Sequence, residues 1–218
     1  MIYVIYEDNH IIVVNKPINV PSQQDETKDI DILSLVKGYI KEKENKPGNV
    51  YLGLIHRLDR PVGGLMVFAK TSKAAKRLSK EIINNAFIKT YHAILCGVPK
   101  EKDTYIDYLV KDEKNNKSYV MPDKRGKESI LSYELIDTKK TLSFVKINLK
   151  TGRHHQIRVQ FSYHGFPLWG DQKYNPYVKE NEQIALFASE LSFNHPITKE
   201  TLNFKLELPK IYPWDLFM

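Results

Sequence analysis

Four segments that alternate apolar and polar residues follow one another between residues 104 and 149, and they limit the folds open to this chain. They cover residues 105–110, 118–121, 130–136 and 142–149, and charged turns such as residues 122–126 separate them. Alternation with a period of two is typical of strands that bury one face, and short links between such strands favour antiparallel pairing. This part of the sequence therefore predicts an antiparallel sheet.

Helices and further strands accompany these segments. Apolar residues recur at helical spacing from Asp31, and Thr71 caps a second helical pattern. Gly165, with Pro167 just beyond it, ends a third predicted helix that begins at about His154. Other strands are predicted at residues 2–6, 11–14, 65–69, 89–97, 184–193 and 201–208. The predicted fold class is α+β, with a mixed, mainly antiparallel central sheet and flanking helices.

The length of the chain limits the number of domains, and its net charge indicates the kind of partner. Its 218 residues can bury a substantial core, so a single domain of residues 1–218, or one domain with two lobes, is expected. Lys and Arg total 33 against 26 for Asp and Glu, a formal net charge of +7. Such a surplus suggests a polyanionic partner.

Cysteine usage and hydropathy exclude several classes. The single cysteine, Cys96, cannot form an intramolecular disulfide or a thiolate metal site, so a reducing cytoplasm is expected. The first ten residues lack the pattern of a signal peptide, and the longest apolar runs are too short for a membrane span. No membrane association is therefore expected.

Residues 56–65, His-Arg-Leu-Asp-Arg-Pro-Val-Gly-Gly-Leu, combine more charged and turn-forming residues than any other ten-residue stretch that we considered as a candidate site. Asp59 stands between Arg57 and Arg60, whose charges would keep a nearby carboxylate ionised. Alone, such a stretch is more often a solvated ion pair that contributes little. The glycines, Gly63 and Gly64, indicate a strained turn with positive φ, a backbone that a ligand approaches closely, or both.

Other polar residues are ambiguous by themselves. Lys16 ends a predicted strand and is either a solvated charge or a phosphate contact at a cleft rim. Tyr91 shares a strand face with apolar residues and on that ground is a core tyrosine. The adjacent histidines His154 and His155 would diverge on a helix and have no clustered Cys, Asp or Glu, so no metal site is expected.

Four motifs taken together resemble the RluA-type family of RNA pseudouridine synthases. They are His-Arg-Leu-Asp at 56–59, Lys-Thr-Tyr-His-Ala at 89–93, Gly-Arg-His-His-Gln-Ile-Arg at 152–158 and Asn-His-Pro at 194–196. The resemblance extends over nearly the whole chain. It implies the pseudouridine synthase fold with a basic active-site cleft.

The resemblance also implies roles for individual residues. Asp59 matches the catalytic carboxylate, Tyr91 the tyrosine that packs against the target base, and Arg158 the arginine that pairs with the aspartate. Arg57 matches a position that displaces or replaces the flipped base. The remaining matches imply substrate-binding positions, with Leu191 lining the pocket: His56, Arg153, His155, Gln156 and Leu191.

The chain departs from the family pattern in two places. Val62-Gly63-Gly64 stands where the family usually has Thr-Ser-Gly, and His154 stands where it usually has Thr or Ser. We expect these differences to change loop shape or RNA contacts rather than to remove activity. No amino-terminal segment resembles the S4-type RNA-binding domain, so substrate choice is expected to come from the catalytic domain.

The expected reaction isomerises a uridine of structured ribosomal or transfer RNA to pseudouridine after base flipping. No electron or group is gained or lost overall, so no cofactor or metal is expected. We expect a monomer without an obligatory protein partner. A catalytically silent RNA-binding protein with the same fold is the alternative. A hydrolase using Asp59 with the histidines lacks the spacing of a triad or metal site.

Overall fold

The computed structural model of the protein describes residues 2–45 and 47–218, which form two compact units. The first unit contains the described residues up to Ile88 together with Ala188–Leu206, and the second contains Lys89–Phe187 and Glu207–Met218. The predicted single domain of residues 1–218 includes Met1 and Lys46, which lie outside the described residues. The single-domain interpretation stays a prediction.

Eleven strands, three α-helices and a 3₁₀ helix form in the described part of the chain. In chain order they are β1 (Tyr3–Glu7), β2 (Ile11–Lys16), α1 (Ile32–Lys43), β3 (Gly53–Leu54), β4 (Gly63–Ala69), α2 (Ser72–Ile83), β5 (Ile88–Cys96), β6 (Lys102–Asp112), β7 (Lys117–Val120), β8 (Lys127–Lys139), β9 (Leu142–Leu149), α3 (Gln156–Tyr163), β10 (Leu186–Asn194), β11 (Thr201–Lys205) and the 3₁₀ helix Trp214–Phe217.

The sheet of the first unit has β2 and β4 at its centre. Its strands lie in the order β1-β2-β4-β10-β11, and β3 also pairs with β4. All seven residues of β4 are buried, which is why its sequence is continuously apolar instead of alternating. One buried cluster joins this sheet to α2: Ile11, Val13, Leu65, Val67, Ala69, Ala74, Leu78, Phe87, Leu191 and Phe193.

Side-chain caps fix the start of both helices of the first unit. The carboxylate of Asp31 accepts a hydrogen bond from Ser34 N at 2.9 Å, and the hydroxyl of Thr71 accepts one from Ala74 N at 3.1 Å. Such bonds satisfy backbone N–H groups that the first helical turn leaves without an acceptor. The helices predicted from Asp31 and Thr71 are therefore confirmed.

At Gly64 the backbones of β4 and β10 lie close together. Its φ is +121°, and a Cβ at this position would lie 2.2 Å from the carbonyl oxygen of Ala188 in β10. The positive φ predicted for these glycines is confirmed at Gly64, but residues 63 and 64 belong to β4, so the predicted turn was wrong. The close approach at Gly64 is made by neighbouring backbone, which excludes any larger residue there.

The second unit contains the antiparallel sheet that the alternating segments predict. Its strands lie in the order β5-β9-β8-β6-β7, and each neighbouring pair is antiparallel. The four predicted segments correspond to β6, β7, β8 and β9. The predicted α+β fold with a mainly antiparallel sheet is confirmed.

Helix α3 is confirmed, but it begins later than the predicted start at His154. His155 has a φ of 54°, in the left-handed region, and the helix starts at Gln156. At the other end Gly165 has a φ of +87°, and Phe166 N donates to Phe161 O at 2.9 Å. The glycine stop therefore acts as predicted. Among residues 2–45 and 47–218, no helix is long and apolar enough to cross a membrane.

Candidate active site

Asp59 lies on a tight turn that leads directly into β4. Val62 N donates a hydrogen bond to the backbone oxygen of Asp59 at 3.0 Å, which closes the turn through Arg60 and Pro61. A turn joined to a fully buried strand is a rigid place from which to present a carboxylate.

Ser22 holds the residue that precedes Asp59. Its hydroxyl donates to the carbonyl oxygen of Leu58 at 2.6 Å and accepts from Leu58 N at 3.0 Å. Ser22 and Leu58 are both buried, so water does not compete readily for these bonds. The backbone immediately before Asp59 is therefore fixed by one side chain 36 residues away.

Lys16 holds the residue that follows Asp59. Its Nζ donates to the carbonyl oxygens of Pro17, Val20 and Arg60 at 2.9, 2.7 and 3.1 Å. Lys16 is fully buried, so both sequence interpretations, a solvated charge and a phosphate contact at a cleft rim, were wrong. Burial lowers the pKa of Lys16 to about 7, and the charge of Asp59 opposes that shift.

Arg60 directs its charge to a neighbouring loop. Its Nη1 donates to Asp29 at 2.6 Å and its Nη2 to Asp25 at 3.0 Å. Hydrogen bonds from Thr27 and Arg60 lower the pKa of Asp25, so the carboxylate stays ionised at neutral pH. These pairs are partly exposed and contribute little energy, but they connect the turn to residues 25–29.

Replacing Ser22 by alanine is expected to lower kcat for pseudouridine formation about 10-fold with little change in KM. The change leaves Leu58 N and O without their partner, a loss of about 1–3 kcal/mol, and it loosens the backbone beside Asp59. Steady-state kinetics and thermal unfolding would measure both effects. Ser34→Ala, which removes a side-chain bond at the start of α1, is the control and should change stability only. Equal kcat losses in the two variants would contradict the positioning role.

The other site residues of the first unit differ in exposure. Arg57 is exposed, as a side chain that meets RNA must be. His56 accepts a hydrogen bond from Val67 N through Nε2 at 3.2 Å, so its ring proton lies on Nδ1, and its ring lies beside Phe87. Leu191 is 2% exposed and belongs to the core cluster of this unit. Its assignment to the base pocket stays a prediction.

Tyr91 is buried on β5 in the second unit. It lies opposite Ile147 of β9 and is 6% exposed. Alternation along the strand puts Lys89 on the same face, two residues before it. The phenol of Tyr91 and the ammonium of Lys89 therefore lie on one face of β5, two residues apart.

Arg158 forms a buried bidentate ion pair with Asp171. Nε and Nη2 donate to Oδ2 and Oδ1 at 2.9 and 2.7 Å, and the two residues are 4% and 0% exposed. Asp171 also accepts from the backbone N of Lys173 and Tyr174. The Tyr174 ring lies 5.3 Å from the guanidinium carbon. These contacts fix the guanidinium plane.

Asp171 is the site residue that sequence reasoning missed. The available signal was an arginine between Ile157 and Val159 in a predicted helix, because a buried guanidinium requires a carboxylate nearby. The position of that carboxylate, 13 residues later and after a glycine, follows no local rule. The predicted pairing of Arg158 with Asp59 stays a prediction.

His154 and His155 stack, with ring centroids 3.7 Å apart, so the prediction that they diverge was wrong. They precede α3 instead of lying on it, because His155 adopts a left-handed conformation. The Tyr174 hydroxyl accepts from Ser118 N and shares a hydrogen bond of 2.8 Å with His155 Nδ1. Burial, followed by the charge of Arg158, lowers the pKa of His155 to about 2.

Gln156 ties the loop before α3 together. Its Oε1 accepts from Thr151 Oγ1 at 2.8 Å and from Arg153 N at 3.0 Å. Arg153 is exposed, and its Nε donates to the carbonyl oxygen of Glu128. The described residues hold no cluster of three or more His, Cys, Asp or Glu that could bind a metal ion.

The structure thus distributes the predicted site residues between the two units. The first unit holds His56, Arg57, Asp59 and Leu191; the second holds Tyr91, Arg153, His155, Gln156 and Arg158. In each unit a predicted catalytic residue is fixed by buried polar partners: Asp59 through its backbone and Arg158 through its side chain.

Comparison with known proteins decides the family. The model of the RNA pseudouridylate synthase family matches residues 10–163. The chain belongs to this family. Among its relatives, ribosomal large subunit pseudouridine synthase D of Zymomonas mobilis is 31% identical over 95% of this chain and 69% of its own length. The tRNA pseudouridine synthase C of Yersinia pestis is 29% identical over 100% of this chain and 90% of its own.

A solved structure agrees with this RNA pseudouridylate synthase assignment at the level of fold. Human RNA pseudouridylate synthase domain containing 4 superposes with a TM-score of 0.79, at 21% sequence identity, over 95% of this chain and 89% of that one. The predicted enzyme class, an isomerase acting on RNA, is confirmed by the family.

Proposed function

We propose that this pseudouridine synthase converts specific uridines of ribosomal or transfer RNA, with Asp59 as its catalytic carboxylate. The observation that carries the assignment is the fixed turn: Ser22 and Lys16 hold the residues on either side of Asp59 by buried hydrogen bonds. The names of the two relatives, one a ribosomal and one a transfer RNA enzyme, support these two RNA classes.

The reaction requires a carboxylate at one fixed point. The C1′–N1 bond of the uridine breaks, the uracil turns, a C1′–C5 bond forms, and the C5 proton leaves to solvent. Asp59 supplies the carboxylate whether it attacks C1′, adds to the base or removes the 2′ proton. Its pairing with the guanidinium of Arg158, which Asp171 orients, would keep the carboxylate charged and directed.

Tyr91 and Arg57 are proposed to handle the base. Tyr91 can stack on uracil and offers a hydroxyl, whose ordinary pKa near 10 makes it a weak base. A nucleotide within structured RNA must flip out at a cost of a few kcal/mol. An exposed arginine such as Arg57 can offset that cost by taking the place of the base, and the net charge of +7 favours phosphate contacts.

We place the activity in the cytoplasm and in a monomer. A single cysteine, Cys96, supports a reducing compartment, because no second cysteine offers a disulfide.

The purified protein is expected to release tritium from ribosomal or transfer RNA transcribed with uridine labelled at C5. Each pseudouridine formed releases one tritium atom to water, because C5 loses its hydrogen after it bonds to C1′. Mapping pseudouridines in total RNA with and without the protein identifies the sites. A protein that releases no tritium from either class of transcript would contradict the proposed substrates.

A further inference from the structure

Lys89 is a buried cation that the proposed mechanism does not use. It is 9% exposed, and its ammonium has no hydrogen-bond or ion-pair partner among the described residues. Burial alone lowers its pKa, and no carboxylate of the described chain opposes that shift. A largely buried ammonium without a carboxylate partner costs stability, and a bound anion would compensate that cost.

The ammonium of Lys89 points to the loop before α3. Residue 152 is a glycine and has no Cβ. A Cβ built at this position would lie 3.4 Å from the Lys89 Nζ. The register of β5 with β9 explains the proximity, because Thr90 pairs with Asn148 and the loop follows the end of β9. The glycine therefore leaves the space beside the ammonium open.

A second donor in the same loop has no acceptor. Gln156 is 3% exposed, and while its Oε1 accepts from Arg153 N, its Nε2 has no hydrogen-bond partner among the described residues. The Lys89 ammonium lies beside Gly152, and the Gln156 amide is hydrogen-bonded to Arg153, the next residue, so both side chains approach the same short loop. The N-terminus of α3 begins here too, and His155 does not cap it with a side-chain hydrogen bond. All three groups favour an anion.

We propose that Lys89 and Gln156 bind a backbone phosphate of the RNA at the target nucleotide. Lys89 lies on the same face of β5 as Tyr91, two residues away, or about 7 Å along the strand. A base stacked on Tyr91 would carry its own phosphate within reach of the Lys89 ammonium. The site rests on the proposed function, because it takes RNA as the ligand and Tyr91 as the base platform.

The test compares Lys89→Met with Lys102→Met, which removes an exposed lysine of β6. The probes are in vitro transcribed large-subunit ribosomal RNA and transfer RNA, measured by filter binding at several salt concentrations. Lys89→Met should weaken binding about 10-fold and reduce the slope of log K against log salt by about 0.7–1. Lys89→Arg, which keeps the charge, should restore most of the slope.

Thermal unfolding without RNA separates this role from a structural one. Removing an unpaired buried ammonium should leave the Tm of Lys89→Met at or above that of the wild type. A lower Tm with unchanged RNA affinity would overturn the inference and assign Lys89 to the fold. An unchanged affinity and salt slope, in a protein whose wild type releases tritium, would overturn the phosphate site alone. A wild type that releases no tritium would overturn the proposed function as well.

Discussion

A variant with Asp59→Asn is expected to release tritium from labelled RNA about 10⁴-fold or more slowly than the wild type. Asparagine keeps the shape of the side chain but removes the charge that every proposed role of Asp59 needs. The bonds that hold the turn go to Leu58 and Arg60 backbone atoms, so they remain. Single-turnover tritium release measures the loss.

The control for Asp59→Asn is Asp215→Asn, an equivalent change at an exposed carboxylate near the end of the chain. It should leave the rate within about twofold of the wild type. RNA affinity and the Tm of Asp59→Asn should also remain close to wild-type values. If Asp59→Asn kept a tenth of the wild-type rate, Asp59 would not be the catalytic carboxylate.

Asp171→Ala is expected to lower the free energy of unfolding by about 3–5 kcal/mol, because it leaves Arg158 as an uncompensated buried charge. Both carboxylate oxygens of Asp171 accept from the guanidinium, and Oδ1 also accepts from two backbone N–H groups. Urea titration gives the change in stability. Activity should fall as well, since the guanidinium loses its orientation.

The double variant Arg158→Met with Asp171→Leu separates these two effects. It removes both charges together, so it should recover much of the stability lost in Asp171→Ala. It should nevertheless be inactive, because no guanidinium remains to direct Asp59. A loss of less than 1 kcal/mol in Asp171→Ala would show that the pair does not hold Arg158 in place.

Local patterns predicted most of the fold. Strands β6 to β9 follow from alternation, and α1 and α2 follow from apolar spacing, with a cap at Thr71. These signals depend on residues close in sequence, which is why they can be recognised without a structure. The start of α3 was misplaced because the left-handed φ of His155 has no marker in a non-glycine residue.

The candidate site was predictable only in part. Motif resemblance indicated Asp59, Tyr91 and Arg158, but not the partners that fix them. Ser22 contacts Leu58 across 36 residues and Lys16 contacts Arg60 across 44, and neither spacing follows from a periodic pattern. From sequence, a charged lysine such as Lys16 is expected at the surface. In the structure it is buried, and hydrogen bonds to three carbonyl oxygens compensate the loss of water.

The way the catalytic turn is held has a consequence for redesign. Ser22, Lys16 and the closing bond from Val62 all engage main-chain atoms of residues 58–60, so they are indifferent to which side chains those residues carry. None of these bonds uses the exposed side chain of Arg57, so that side chain can be varied in a library without shifting Asp59. Selection from such a library could retarget the enzyme to a new RNA site while its reaction chemistry stays intact.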